Sequence, residues 1–119
     1  MKLAFIGTGK IIADALFAIE PVKTIEKTAI FARPHSKEKA ESFANQYHIP
    51  EIYTDYEKLL NETAADTVYI GLINSAHYPY AKKALLHGKN VILEKPFTGF
   101  YKEAQELQQI AEEKRSEEH

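Results

Sequence analysis

The chain has 119 residues, the size of one ordinary domain, with 45% apolar and 27% charged residues in the balance of a soluble globular protein. Fifteen basic and seventeen acidic residues leave a formal net charge of -2, which gives no case for nucleic acid or an anionic membrane as a partner. Cysteine is absent, which excludes disulfides and thiolate metal sites and suits a reducing compartment. No apolar stretch approaches the roughly 18 to 20 residues needed to cross a bilayer. The first residues run directly into a strand pattern without a cleavable leader. A soluble, cytoplasmic chain is expected.

In chain order, Leu3 to Ile6 forms the first apolar run and predicts a strand. Past the glycines that follow, Ile11, Ile12, Ala15, Leu16 and Ile19 fall on one side of a helix. Thr28 to Ala32 predicts a second strand, and Ala40, Phe43, Ala44 and Tyr47 then recur at i, i+3, i+4 and i+7. A short third strand at Ile52 and Tyr53 leads to a weaker helix over Tyr56 to Leu60. Thr67 to Ile70 predicts the fourth strand, Ala81, Ala84 and Leu85 the next helix, and Asn90 to Leu93 the fifth strand. A last helix begins near Thr98 or Gly99 and carries Tyr101, Ala104, Leu107 and Ala111 on one face. After Ala111 the text "EEKRSEEH" holds no apolar residue, so residues 112–119 are expected to fray into solvent.

The strand runs are nearly continuous rather than alternating, which suits strands covered on both faces. Strict alternation of strand and helix with short connections predicts the α/β class, with a doubly wound parallel sheet in one domain over residues 1–119. There is no internal repeat, low-complexity segment or linker.

Gly7 and Gly9 stand where the first strand ends and the first helix begins. Free amides and the positive end of the helix dipole make that place suitable for a phosphate. Gly7 permits the tight turn and Gly9 lets backbone approach a pyrophosphate, so Gly7, Thr8, Gly9, Lys10 and Ile11 are candidate cofactor contacts. The competing reading is a pair of glycines that only turn a strand into a helix. Ile12 stands where the usual pattern has a third glycine for close helix–strand packing, and a slightly wider spacing is expected to accommodate it. A dinucleotide fold normally places an acid about 20 residues further on, for the adenosine ribose. Here "TAIFARPHSKEK" ends the second strand at Ala32 and Arg33, with no Asp or Glu at the tip. The planar cation of Arg33, with Ser36 and Lys37 nearby, suits a 2′-phosphate or stacking on adenine and leans the cofactor toward NADP over NAD. Arg33 as a solvated loop residue is the alternative.

The stretches "IGTGKIIADAL", "ARPHSKEKAESFANQYHIPEIYTDYEKLL" and "YIGLINSAHYPYAKKALLHGKNVILEKPFTG" together resemble the glucose–fructose oxidoreductase, inositol dehydrogenase and rhizopine-catabolism family. The resemblance spans essentially the whole chain, but only the family's amino-terminal, NAD(P)-binding Rossmann-type half. Its most specific element is the tripeptide Glu94-Lys95-Pro96. The resemblance implies hydride transfer between a nicotinamide cofactor and a hydroxyl carbon of a sugar, cyclitol or related compound. It implies that Lys95 lies beside the nicotinamide as a proton-relay or substrate-orienting group, with Glu94 next to it. It also implies that Leu72 and Asn74 run along the cofactor and that His77 lies near the nicotinamide end. On chemistry alone, a histidine just before Pro79 is more often a cap or surface residue, and Asn74 more often bonds its own backbone. The sequence departs from the family at Ile73, where proline is usual, as it does at Ile12.

Other chemistries find no support. The five histidines show no metal-ligand spacing, and no metal site is expected. There is no Gly-x-Ser-x-Gly elbow and no Walker spacing around Lys10. The family's second domain, which completes the substrate pocket, is absent from the sequence. The expectation is a dinucleotide-binding domain inactive by itself, as a monomer or weak homodimer, meeting a sugar-like substrate only together with the missing half. The alternative is a free-standing nucleotide-binding or sensing module without catalysis.

Overall fold

The computed structural model describes residues 1–72, 74–93, 109–111 and 113, with the backbone alone at residues 74–76. Strand β1 (Lys2–Ile6) leads into helix α1 (Lys10–Ile19), and β2 (Glu26–Phe31) leads through a 3-10 turn at Pro34–Ser36 into α2 (Lys37–Tyr47). Then come β3 (Glu51–Tyr53), α3 (Tyr56–Glu62), β4 (Thr67–Ile70), α4 (Asn74–Leu86) and β5 (Asn90–Leu93). All strand pairs are parallel, in the order β3-β2-β1-β4-β5. The chain moves outward from β1 to β3, then returns to the other side of β1 with β4. A ligand crevice belongs at that reversal, outside the carboxyl ends of β1 and β4.

Because successive strand residues face opposite ways, each strand feeds two cores. Ala4, Ile6, Ala29, Phe31, Val68 and Ile70 pack on one face with α3 and α4, represented by Leu59, Leu60, Ala81 and Ala84. Leu3, Phe5, Ile30 and Ala32 pack on the other with Ile12 and Leu16 of α1 and Ala40, Ala44 and Tyr47 of α2. The expected doubly wound α/β sheet is therefore present. Burial of β1 after Lys2, and of β4 apart from a half-buried Tyr69, explains their apolar text, whereas edge strands β3 and β5 are half exposed. The weak third helix starts on an Asp55 cap, whose carboxylate accepts from the Lys58 amide at 3.2 Å.

The final helix is described only in part. Residues 109–111 and 113 are helical, and Ile110 and Ala111 pack against the core beside α4. Its expected start at Thr98 or Gly99, the face residues Tyr101, Ala104 and Leu107, and the tail over residues 112–119 (Glu113 excepted) lie outside the described residues. Among the described residues no helix is long and apolar enough to cross a membrane.

At the amino edge, Asp66 ties three strands. Its carboxylate accepts from the Lys2 amide at 3.2 Å and from Thr67 Oγ1 at 2.7 Å, and its carbonyl accepts from the Asn90 amide at 3.0 Å. The Thr67 hydroxyl above all, with the Lys2 amide adding to it and burial opposing, holds this carboxyl below the usual range. A carboxyl lowered on folding stabilises the fold above its unfolded value, near about pH 4, and that contribution is lost as pH falls through the folded value. Asp66→Asn should therefore lower the urea midpoint at pH 7, with the difference from wild type shrinking as pH falls below about 4. A difference that stays constant over that range would show that the Asp66 charge does not contribute.

Candidate dinucleotide-binding site

The site begins where β1 runs out. Gly7 has φ +120, in the region L side chains rarely enter, and a Cβ there would lie 2.9 Å from the Gly71 carbonyl oxygen. Its amide donates to the Phe31 carbonyl at 2.9 Å, while the Gly71 amide donates to the Ile6 carbonyl at 3.0 Å. Ladder bonding thus continues past the strand ends and pins the turn between the tips of β2 and β4.

Gly9 is bare for another reason. Its φ of -82 and ψ of -169 suit any residue, and a Cβ there would meet nothing within 4 Å. Neither backbone conformation nor protein packing asks for glycine at this position. What its missing side chain leaves is open space ahead of the first turn of α1, the space through which a pyrophosphate approaches backbone. The helix bond from the Ala13 amide to the Gly9 carbonyl is 3.1 Å, and the amides ahead of it have no intrahelical acceptor. No acidic residue lies in that first turn to compete for them. The residues present fit a dinucleotide pyrophosphate.

Ile12 is fully buried. Its Cδ1 and Cγ1 atoms stand 2.6 and 2.8 Å from where a Cβ on residue 71 would be. The accommodation expected from a wider helix–strand spacing is met by the bare backbone of Gly71 at the end of β4. Helix α1 carries the bulk and the strand carries the glycine, so close packing survives without a third glycine in the helix. Gly71→Ala should destabilise the fold by about 1–3 kcal/mol through overpacking. Ile12→Ala should cost about 2–5 kcal/mol alone. In urea denaturation the double variant should lose clearly less than the two single losses together, because the smaller side chain vacates the space the new methyl fills. Additive losses would exclude the exchange.

A cleft of about 230 Å3 opens above this junction, lined by Gly7, Thr8 and Gly9 on one side and by Gly71 and Leu72 on another. Its far end is formed by Phe31, Ala32, Arg33, His35 and Ser36. The Phe31 ring packs against Tyr56 and Tyr80 at centroid distances of 5.5 and 5.8 Å, which fixes the strand tip beneath the cleft. Arg33 is extended, with φ -64 and ψ 154, and the 3-10 turn after it closes with the Ser36 amide on the Arg33 carbonyl at 2.8 Å. Lys37 opens α2 and is not among the lining residues.

Leu72 is held from behind. The His77 ring, 1% exposed, lies with Nε2 2.7 Å from the Leu72 carbonyl, and since a carbonyl only accepts, Nε2 carries the proton. The structure thus places His77 under the cleft wall, inside α4, which begins at Asn74 and carries Pro79 within it. Asn74 is therefore the first residue of a helix rather than part of the preceding loop. Lys10 and Ile11 are exposed first-turn residues of α1 outside the cleft lining, and Ile11 Cγ2 lies 3.3 Å from the Cβ position of residue 71. Ile73, Glu94, Lys95 and Pro96 lie outside the described residues. Sequence reasoning missed Phe31, Ala32, His35 and Gly71 as cleft residues. Their signals were positional: three of them flank Arg33, and Gly71 directly follows the fourth apolar run.

The sequence model described as "Oxidoreductase family, NAD-binding Rossmann fold", that of the glucose–fructose oxidoreductase, inositol dehydrogenase and rhizopine-catabolism proteins, matches residues 1–117. The chain belongs to this family. It is 30% identical over 106 residues to trans-1,2-dihydrobenzene-1,2-diol dehydrogenase of Xenopus tropicalis, covering 89% of this chain and 32% of that protein. It is 31% identical over 107 residues to scyllo-inositol 2-dehydrogenase (NADP(+)) IolU of Bacillus subtilis, covering 90% and 32%. The crystal structure of the 3-ketoreductase KijD10 from Actinomadura kijaniata, in complex with NADP and TDP-benzene, superposes with a TM-score of 0.88 at 31% identity over 96% of this chain and 34% of that one. The chain thus spans about a third of the length of the relatives it matches. Residues 1–117 are thus the NAD-binding Rossmann domain of this oxidoreductase family.

Proposed function

We propose that this chain is the cofactor-holding part of an oxidoreductase that moves a hydride between NADP and a hydroxyl carbon of a sugar, cyclitol or related compound. The observation that carries the reading is the bare, unobstructed Gly9 at the head of α1, from which one cleft leads to Arg33. The scyllo-inositol 2-dehydrogenase (NADP(+)) supports the cyclitol class and the cofactor, and the 3-ketoreductase complex with NADP supports the cofactor. When bound, the nicotinamide supplies the hydride chemistry; the first-turn amides of α1 hold the pyrophosphate and Leu72 borders the nucleotide. Arg33, which makes no ion pair among the described residues, is left for the adenosine 2′-phosphate, and the tip of β2 offers no carboxylate to repel it. Lys95, in the tripeptide shared with the family, holds the substrate hydroxyl and its proton, where a cation stabilises developing alkoxide charge. By itself the chain leaves the reacting end open to water, so it binds cofactor without turnover, as a cytoplasmic monomer or weak homodimer.

Titration with NADPH and NADH, followed by nicotinamide fluorescence, should show tighter binding of NADPH. Arg33→Ala should weaken NADPH by about ten- to a hundredfold, the loss of a charged hydrogen bond of about 1.5–3 kcal/mol, and NADH by less than about threefold. Equal losses for both would remove the NADP preference, and no binding of either at millimolar concentration would remove the cofactor reading. In a protein that also carries the substrate half, Lys95→Met should lower kcat by about 10²–10⁴-fold and leave cofactor affinity in place. A variant that retains kcat would take Lys95 out of the chemistry.

A further inference from the structure

The NADP reading assigns Arg33 a role and leaves the neighbouring imidazole without one. His35 is exposed and lines the same end of the cleft as Arg33 and Ser36, all on one short 3-10 turn. The Ser36 side chain makes no capping bond to α2, although it stands at the cap position. Among the described residues neither Arg33 nor His35 has an ion pair or a side-chain hydrogen bond. Among the described residues the lining holds no carboxylate, and the facing Gly7-Thr8-Gly9 and Gly71-Leu72 walls carry no titratable side chain. The other charged groups nearby in the chain are Lys37, Glu38 and Lys39 at the start of α2, and across the cleft the exposed Lys10 at the head of α1. Among the described residues, one fixed cation, one imidazole and one hydroxyl therefore gather around a space with no anion.

From this arrangement we infer that His35 is a proton-dependent contact for the adenosine 2′-phosphate, so that its own share of the discrimination between NADP and NAD grows as pH falls. The inference rests on the NADP reading and adds regulation to the same site. Arg33 is charged at every physiological pH and gives a constant preference. Imidazole changes charge between about pH 5 and 8, and a phosphate dianion beside it favours the protonated ring. Binding NADP then takes up a proton at His35, and by linkage a lower pH strengthens that contact. The phosphate's own second ionisation, near about pH 6, acts in the opposite direction and must be cancelled.

Comparing wild type with His35→Gln at each pH cancels it, because both proteins meet the same phosphate. Kd should be measured for NADPH and NADH between pH 5.5 and 8.5, with circular dichroism as the check on folding. The Kd ratio of variant to wild type for NADPH should be about 1 to 2 at pH 8.5 and rise to about 10 near pH 6, a change of about 1.4 kcal/mol. For NADH it should remain near 1 throughout. The wild-type imidazole resonances should titrate at higher pH with NADPH bound than with NADH bound, a shift that a merely structural residue would not show. A flat NADPH ratio alongside retained preference for NADPH would overturn the role of His35 and leave the NADP reading standing. Equal affinity for the two cofactors, or binding of neither, would overturn the NADP reading and this inference with it.

Discussion

The meeting of three backbone segments at the carboxyl edge of the sheet sets the rest of the structure. The turn after β1, the end of β4 and the first turn of α1 converge there, and van der Waals contact decides which side chains each can carry. Gly7 cannot carry one, because its conformation is left-handed and the Gly71 carbonyl stands in the way. Gly71 cannot carry one, because Ile12 fills that volume. Gly9 could carry one as far as the protein is concerned. The three glycines thus separate into two that hold the junction shut and one that keeps its mouth open. The first two concern stability, and the third concerns what approaches from outside.

That junction positions the cleft because its neighbours are rigid. Phe31 ends β2 with its ring set among Tyr56 and Tyr80, and the Tyr56 hydroxyl donates to the Tyr80 carbonyl at 2.8 Å. Burial, with the neighbouring Tyr80 and Glu57 adding to it, raises that phenol well above its ordinary value, so the hydroxyl stays a donor throughout the physiological range. On the opposite wall, His77 fixes the Leu72 carbonyl from inside the fold. The cleft is therefore bounded by a sheet edge, a braced loop and a short closed turn, and little ordering remains to oppose ligand binding. Between them the two aromatic and imidazole braces link α3 and α4, on one side of the sheet, to a site fronted by α1 on the other.

Fold and site were legible to different depths in the amino-acid sequence. Apolar runs at residues 3–6, 67–70 and 90–93 coincide closely with β1, β4 and β5, because a strand buried on both faces or packed by a helix cannot tolerate polar interruption. The helical face of α2 was equally plain, since Ala40, Ala44 and Tyr47 recur at one angle and all three are buried. The glycine pair and Arg33 were found because short-range rules about turns, helix ends and charge apply to them directly. Gly71 was not, because its partner Ile12 lies 59 positions away in the chain and only the paired register of β1 and β4 brings them together. The start of α4 at Asn74 was not legible either. Proline ordinarily marks a boundary, yet Pro79 stands in the second turn, where it forfeits one hydrogen bond of a helix anchored by Ala81, Ala84 and Leu85 in the core. His77 reads as a surface residue in the text for the same reason: its burial depends on a helix that begins before it.

Charge explains why selectivity must come from short range. A dinucleotide cofactor is anionic, and the chain carries a formal net charge of -2, so the overall field does not draw the two together. At physiological ionic strength such a field fades within about 8 Å in any case. What remains are the first-turn amides of α1 and the donors on the turn after β2, all of which act at hydrogen-bond distance. In the proposed reading the amides meet the pyrophosphate common to both nicotinamide cofactors and cannot distinguish them. In the same reading discrimination falls to the other end of the cleft, where Arg33, His35 and Ser36 stand without a carboxylate among them. The sheet fixes how far apart these two ends lie, since Gly7 is bonded to the carbonyl of Phe31 itself. One hydrogen bond between adjacent parallel strands thus sets the distance between the glycine turn and the Arg33 end of the cleft.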